Sequence, residues 1–359
     1  MKINFNAYYY QFDGYGRFNS RLLDAYQKIG GEVKIATPYH ISMPRWMQEQ
    51  DGLSWLNLTI SSMPPYLLEP VPGRHCLLSM TEGTVLPEDW VFKVNNSGLE
   101  RVLVPCQHNK ECFENSGVLV PISILPGGID PEEFPLYHRD YMEEKKKTFT
   151  FLTLSDRDVR KGWHEVYDAF YLAFGGKTTG KQDVRLIIKG RPKGNDLLKI
   201  LATAKEPDKR IEYQLTDVED MYPVYAQADC VVLPSKGEGW GLPHREAAAM
   251  GIPVITQKWS GLDDGHTEKW AMIVPGTIQP IPIDHKPPLG EWMQPDKNAL
   301  AEKMLYCYNN RKVVLGFGVL ASRWLHRNQT WKHSAEILKD LVEEVSCEPV
   351  LVGINSYAR

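Results

Sequence analysis

Short apolar runs rich in β-formers alternate along this chain with stretches whose apolar residues recur at helical spacing. That alternation predicts α/β architecture with parallel sheets. KINFNAYYY near the amino terminus reads as a first strand. Phe18 to Ile29 reads as a helix that Gly30-Gly31 ends, and EVKIAT as a second strand. The stretch 38–75, rich in Pro, Trp and Met, reads as irregular, and HCLLSM, RVLVP and PISILP follow as strands. Residues 131–147, PEEFPLYHRDYMEEKKK, combine prolines and a charge run without an apolar face, the mark of an interdomain linker. The alternation then restarts: FTFLTLS, VRLIIKG, DCVVLPS and IPVIT are strands, with WHEVYDAFYLAF and MYPVYAQA as helices between them. Ser322 to Val345 has the spacing of an amphipathic helix, carried by Trp324, Leu325, Trp331, Ile337, Leu338 and Leu341. The expected division is therefore 1–145, 146–321 and a helical tail over 322–359.

Composition supports two cores: 359 residues with 43% apolar types are enough for two domains. No apolar run reaches the length of a bilayer span, so stable membrane insertion is not expected, and Asn4 and Asn6 interrupt any signal-peptide core. The six cysteines are scattered without a C-x-x-C pair, as in a cytoplasmic protein with reduced thiols, lacking disulfides and structural zinc. Residues 1–145 carry 12 Lys and Arg against 18 Asp and Glu. An acidic front half argues against nucleic acid as a partner, because a phosphate backbone demands a basic face.

Two such halves place the carboxyl ends of their strands face to face across a cleft, where ligands bind in these sheets. The densest signal there is EGWGLPHREAAAMGIPVI, residues 238–255, directly after DCVVLPS. Pro243 suits the first turn of a helix, so a helix starts near Leu242 and Gly239, Trp240 and Gly241 form the loop entering it. Free amides and the dipole at a helix start favour a diphosphate. Glu238 and Glu246 would repel that diphosphate unless turned to either side of it, accepting hydrogen bonds from sugar and ribose hydroxyls. A second motif, SDRDVRKGWHEVYDAF at 155–170, supplies cations to the same edge: Arg157, Arg160 and Lys161. Glu82 follows the run LLSM and is placed at the carboxyl edge of the front sheet, opposite Glu238.

In these residues the chain resembles the retaining glycosyltransferases of family 4. Glu238, Gly239, Gly241, Leu242, Pro243, Glu246, Ala247, Gly251, Pro253 and Val254 stand where that family's run of two glutamates with seven residues between them wants them. Lys161-Gly162 matches its lysine-glycine pair, and PCQHNKECFENSGV and ISILPGGIDPEEF resemble two of its front-domain segments. The resemblance implies a GT-B fold of two Rossmann-like doubly wound domains, acceptor side first and donor side second, with the last helix crossing back to the first domain. It implies a nucleotide diphosphate sugar as donor and a sugar, glycan or glycolipid as acceptor, with no cofactor and no metal. Glu238 would face the donor sugar, Glu246 would hold the ribose, the 239–242 amides would meet the diphosphate, and Lys161 would support the departing phosphate. The usual arginine partner of that lysine is replaced by Ser155 or Asp156, leaving Arg157 or Arg160 for the role. Gly14 and Gly16 stand in the family's front glycine loop, and Glu82 in the place of a histidine that contacts the donor sugar.

Other readings compete. Asp156-Arg157-Asp158 is a D-x-D, a metal-holding mark of the GT-A fold, here read as loop residues. A dinucleotide fingerprint at Gly14 fails at Asn19. His75 reads as structural, and His108 sits at a strand end with no role assigned. The tyrosines and tryptophans at 8–10, 39, 46, 55 and 66 are candidates for stacking on an acceptor sugar or for core packing. A nucleotide-sugar epimerase and an inactive nucleotide-sugar binder are the alternative functions.

Overall fold

The computed structural model describes residues 2–7, 14–36, 58–137, 148–155, 159–191, 208–282 and 287–347. Two six-stranded sheets, parallel throughout, organise it. The front sheet holds β1 (Lys2–Ala7), β2 (Glu32–Ala36), β3 (Leu58–Ser62), β4 (His75–Leu78), β5 (Arg101–Val104) and β6 (Ile122–Ile124), in the order β2-β1-β3-β4-β5-β6. The back sheet holds β7 (Phe149–Leu154), β8 (Val184–Gly190), β9 (Ile211–Leu215), β10 (Cys230–Leu233), β11 (Val254–Thr256) and β12 (Met272–Ile273), in the order β12-β11-β10-β7-β8-β9. Strand order therefore reverses between β1 and β3 in front and between β7 and β10 behind. These are the points where a parallel sheet opens a crevice for a ligand. Both architectures follow from the residues: β7 and β10 are buried along nearly their whole length, as strands covered by helices on two faces must be.

Helices cover the sheets. α1 (Gly14–Lys28), α2 (Glu88–Asn96) and α3 (Gln107–Asn115) belong to the front domain. α4 (Trp163–Phe174), a single turn α5 (Tyr222–Tyr225), α6 (Leu242–Ala249) and α7 (Lys297–Asn309) belong to the back. Two long helices are the last described elements, α8 (Arg311–Asn328) and α9 (Trp331–Cys347). α8 packs on α6, whereas α9 lies on α1, with the Trp331 ring edge-on to Phe18 at 5.1 Å. Among the described residues no helix is long and apolar enough to cross a membrane.

Three sequence expectations need correction. The helix expected from Phe18 already includes Gly14, so Gly14 to Arg17 form its first turn rather than a loop. The irregular stretch 38–75 contains an inner strand, β3, whose Thr59, Ser61 and Ser62 are fully buried; polar side chains hid it, and they are satisfied by bonds such as Ser61 to His75 (2.8 Å). The tail pattern from Ser322 spans two helices broken at Gln329-Thr330. There the chain turns extended: the Ile129 amide donates to the Gln329 carbonyl (2.8 Å) and the Trp331 amide to the Ile129 carbonyl (3.1 Å). The expected linker falls largely on 138–147, outside the described residues.

Candidate active site

A cleft of about 430 Å³ lies between the two sheets. Its back wall comes from the loops after β7 and β10, the two strands at the topological switch. Gly162 explains how they meet. It is left-handed (φ +70°), and any side chain there would strike the Pro234 carbonyl. The glycine therefore lets the Lys161 turn press against the end of β10, and Lys161 Nζ donates to Glu238 Oε1 at 2.6 Å. Arg160 lies 3.2 Å from the other Glu238 oxygen and 3.6 Å from Glu82 of the front domain. Burial opposes the charged form of Glu238, but Lys161 and Arg160 outweigh it and hold its carboxyl far below the usual range.

The helix start is as the sequence predicts: α6 begins at Leu242, preceded by left-handed Gly241 (φ +81°). Its amino end opens on the cleft through Gly241, Leu242 and Pro243, with His244 beside them. Glu246 is not beside Glu238. One of its oxygens accepts from the buried Tyr225 hydroxyl (2.8 Å) and the other faces Arg17 (2.9 Å), which reaches over from α1. Burial raises the pKa of Glu246, with Arg17 and Tyr225 holding it back in part. The two glutamates thus have separate partners: Lys161 and Arg160 hold Glu238, which lines the cleft, whereas Tyr225 and Arg17 hold Glu246, which does not.

The front wall is made by Gly14, Tyr15, Arg17, Phe18, Met80 and Glu82. Tyr15 braces it: the Met80 amide donates to its hydroxyl at 3.1 Å. Glu82 comes four residues after β4 and is partly exposed to the cleft, where Arg160 is its ionic partner. Glu82 is thus paired with an arginine that is itself a cleft residue. Gly16 is buried inside α1 and does not line the cleft, because the helix starts before it.

Trp240 needs a different account from its sequence position. Its ring is 3% exposed and packs in the front core, with the Arg245 guanidinium 3.8 Å from the ring centroid. Its side chain belongs to the contact between the domains. Gly239 is constrained the same way, since a Cβ there would lie 2.6 Å from Met80 Sδ. Arg157, Asp156 and Asp158 lie outside the described residues, as do the aromatics at 8–10, 39, 46 and 55. Tyr66 is half exposed and rests against Trp90 (5.2 Å). His75 is buried and driven down to about 4 by that burial, as a structural histidine should be. His108 donates to the Gly83 carbonyl (3.0 Å).

Sequence reasoning missed several lining residues: Ser155, Lys189, Gly190, Arg191 and the run Thr216 to Glu219. All lie at or just after the carboxyl ends of back-sheet strands, Lys189 and Gly190 being the last residues of β8, and that position was the signal available. Arg17 and Tyr225, the partners of Glu246, carried no motif.

The fold and the site together define a GT-B protein, two Rossmann-like domains facing a cleft. Solved structures agree: sucrose-phosphate synthase from Thermosynechococcus elongatus superposes with a TM-score of 0.70 at 14% identity, over 96% of this chain and 99% of that one. Anabaena HepE, solved in complex with UDP-glucose, gives 0.67 at 12% identity, over 96% and 100%. Residues 138–268 match the family described as glycosyl transferases group 1. A D-inositol 3-phosphate glycosyltransferase from Corynebacterium kroppenstedtii is 30% identical over 175 residues, 45% of this chain and 34% of that protein. A GDP-mannose-dependent monoacylated alpha-(1-6)-phosphatidylinositol monomannoside mannosyltransferase from Corynebacterium glutamicum is 29% identical over 171 residues, 43% and 42% of the two chains. The chain thus spans less than half the length of these curated relatives.

Proposed function

We propose that this protein is a retaining, metal-independent glycosyltransferase that moves a sugar from a nucleotide diphosphate sugar to a hydroxyl of a sugar, glycan or glycolipid. The observation that carries the reading is the Lys161–Glu238 pair at the start of α6. The cations Lys161 and Arg160 are held by Glu238, and Arg17 by Glu246. A diphosphate at the α6 amides competes for Lys161 and Arg160 and frees Glu238 to accept from donor-sugar hydroxyls. Glu246, buried beside the cleft residue Arg17, is assigned to accept from the ribose diol. The relatives support a nucleotide-sugar donor: one is named for GDP-mannose, and a structural neighbour holds UDP-glucose.

In the reaction the bond from the anomeric carbon to the phosphate oxygen breaks, and the acceptor oxygen bonds to that carbon on the same face. The acceptor proton passes to the departing phosphate. Charge gathers on the nucleotide as it leaves, and preorganised Lys161, Arg160 and helix amides meet it, the largest stabilising term available to such a site. A thermal-shift screen across nucleoside diphosphates and their sugars tests the reading. Stabilisation by at least one nucleotide supports it; none from any of them sinks it. With the donor found, transfer should continue in EDTA. Activity abolished by EDTA and restored by Mg²⁺ or Mn²⁺ would assign the chemistry to a metal site at Asp156 and Asp158.

A further inference from the structure

Beyond the family-matched region, β13 (Gly276–Pro280) and β14 (Glu291–Pro295) pair as an antiparallel hairpin. It starts from the back domain, yet its residue Leu289 is buried in the front-domain core beside Leu77, Leu86 and Trp90. The Leu289 carbonyl accepts from the amides of Thr84 (2.8 Å) and Val85 (3.2 Å), and the Glu291 amide donates to Thr84 Oγ1 (3.0 Å). Gly83 is the residue this docking requires, because any Cβ there would collide with the Leu289 backbone. The other end of the hairpin is tied to the back-domain motif: the Met293 amide donates to the Lys236 carbonyl (3.0 Å), two residues before Glu238. One hairpin therefore grips both the loop that carries Glu82 and the loop that carries Glu238. Between them Gly237 faces the Glu82 carbonyl so closely that no side chain fits.

From this we infer that Leu289 and Thr84 are positioning residues: the hairpin is a strap that sets Glu82 against Arg160 and Glu238 across the cleft. Neither residue touches the cleft. They act by fixing the 82–85 backbone, which has no regular structure of its own and is held by these bonds. An apolar anchor seated in another domain's core, with three hydrogen bonds around it, fixes a loop more strongly than surface contacts do. The catalytic consequence rests on the proposed transfer reaction; the strap itself does not.

Amide hydrogen exchange on the full chain separates the two. In the wild type Thr84 and Val85 should exchange slowly. Leu289→Ala and Thr84→Val should each speed them by about tenfold or more, as a loop released to local opening does. β5 and β10 should stay protected, and Leu289→Met should restore the loop. Thr84→Val leaves the core intact and keeps the test valid should Leu289→Ala unfold. In the same variants turnover should fall while the Kd for bare nucleotide holds. Unchanged exchange at Thr84 and Val85 overturns the strap, and so does deprotection spreading through β4 and β5 in Thr84→Val. Exchange needs no substrate, so this result stands apart from the nucleotide screen that decides the transfer reading.

Discussion

At the residue scale the cleft holds its cations and carboxylates in pairs, and each pair yields an expectation. Lys161→Ala should lower turnover about 10²–10³-fold, the usual cost of losing one preorganised donor to a developing anion, with the melting temperature nearly kept. An unchanged rate in the purified variant would remove Lys161 from the mechanism. Glu238 and Glu246 should separate in binding. Glu246→Ala should weaken a bare nucleoside diphosphate by about 1.5–3 kcal/mol, the range for hydrogen bonds to a charged group. Glu238→Gln should leave that affinity equal or tighter, since it releases Lys161 and Arg160, while transfer is damaged. Equal losses in both would refute the division of roles. Glu238 also sets an acid limit. A carboxyl whose folded pKa is depressed contributes stability that is complete above its unfolded pKa of about 4.3 and is lost as pH falls toward the folded value. Melting temperatures should therefore drop more steeply below pH 4.3 in the wild type than in Glu238→Gln. The two glutamates, Lys161 and Arg160 were legible because each sits in a strand-end motif. Arg17 and Tyr225 were not, because their role depends on α1 and α5 being folded against Glu246.

At the element scale the sequence spoke most clearly where one element is read by one rule. β7, β10 and the start of α6 follow from apolar runs, Gly241 and Pro243. It spoke poorly where tertiary contacts override the local pattern. β3 carries Thr59, Ser61 and Ser62 into the core, and α8 and α9 share one amphipathic pattern across a break that only the Ile129 bridge explains. The hairpin that docks Leu289 had no recognised signal, because its partner lies some two hundred residues earlier in the chain. That break predicts a sensitive position. A Cβ on Gly128 would collide with the backbone at Thr330 and Trp331. Gly128→Ala should cost about 1–3 kcal/mol, the range for overpacking a tight contact, in denaturant unfolding. A neutral result would mean that the segment at Gly128-Ile129 and the helix break at Gln329-Thr330 are free to move apart.

At the scale of the whole molecule, the two domains are joined by pairs at the cleft, Arg17 to Glu246 and Arg160 to Glu82; Arg17, Arg160 and Glu82 line it, and Glu246 is buried beside Arg17. Glu246 and Arg160 belong to the back domain, Arg17 and Glu82 to the front. A ligand that replaced these partners would act on both domains at once and so couple its binding to their mutual position. The doubly wound arrangement was readable from the alternation of strands and helices, whereas the contact between domains was not, since Gly237 and Gly239 look like ligand-facing glycines until Glu82 and Met80 are seen beside them. The central claim is that this cleft holds a nucleotide diphosphate between Lys161 and Glu246. Calorimetric titration of UDP, GDP and ADP into the wild type, Lys161→Ala and Glu246→Ala tests it most directly. The account predicts one-to-one binding of at least one nucleotide, weakened in both variants. Binding of none, or binding with equal affinity to all three proteins, would contradict it.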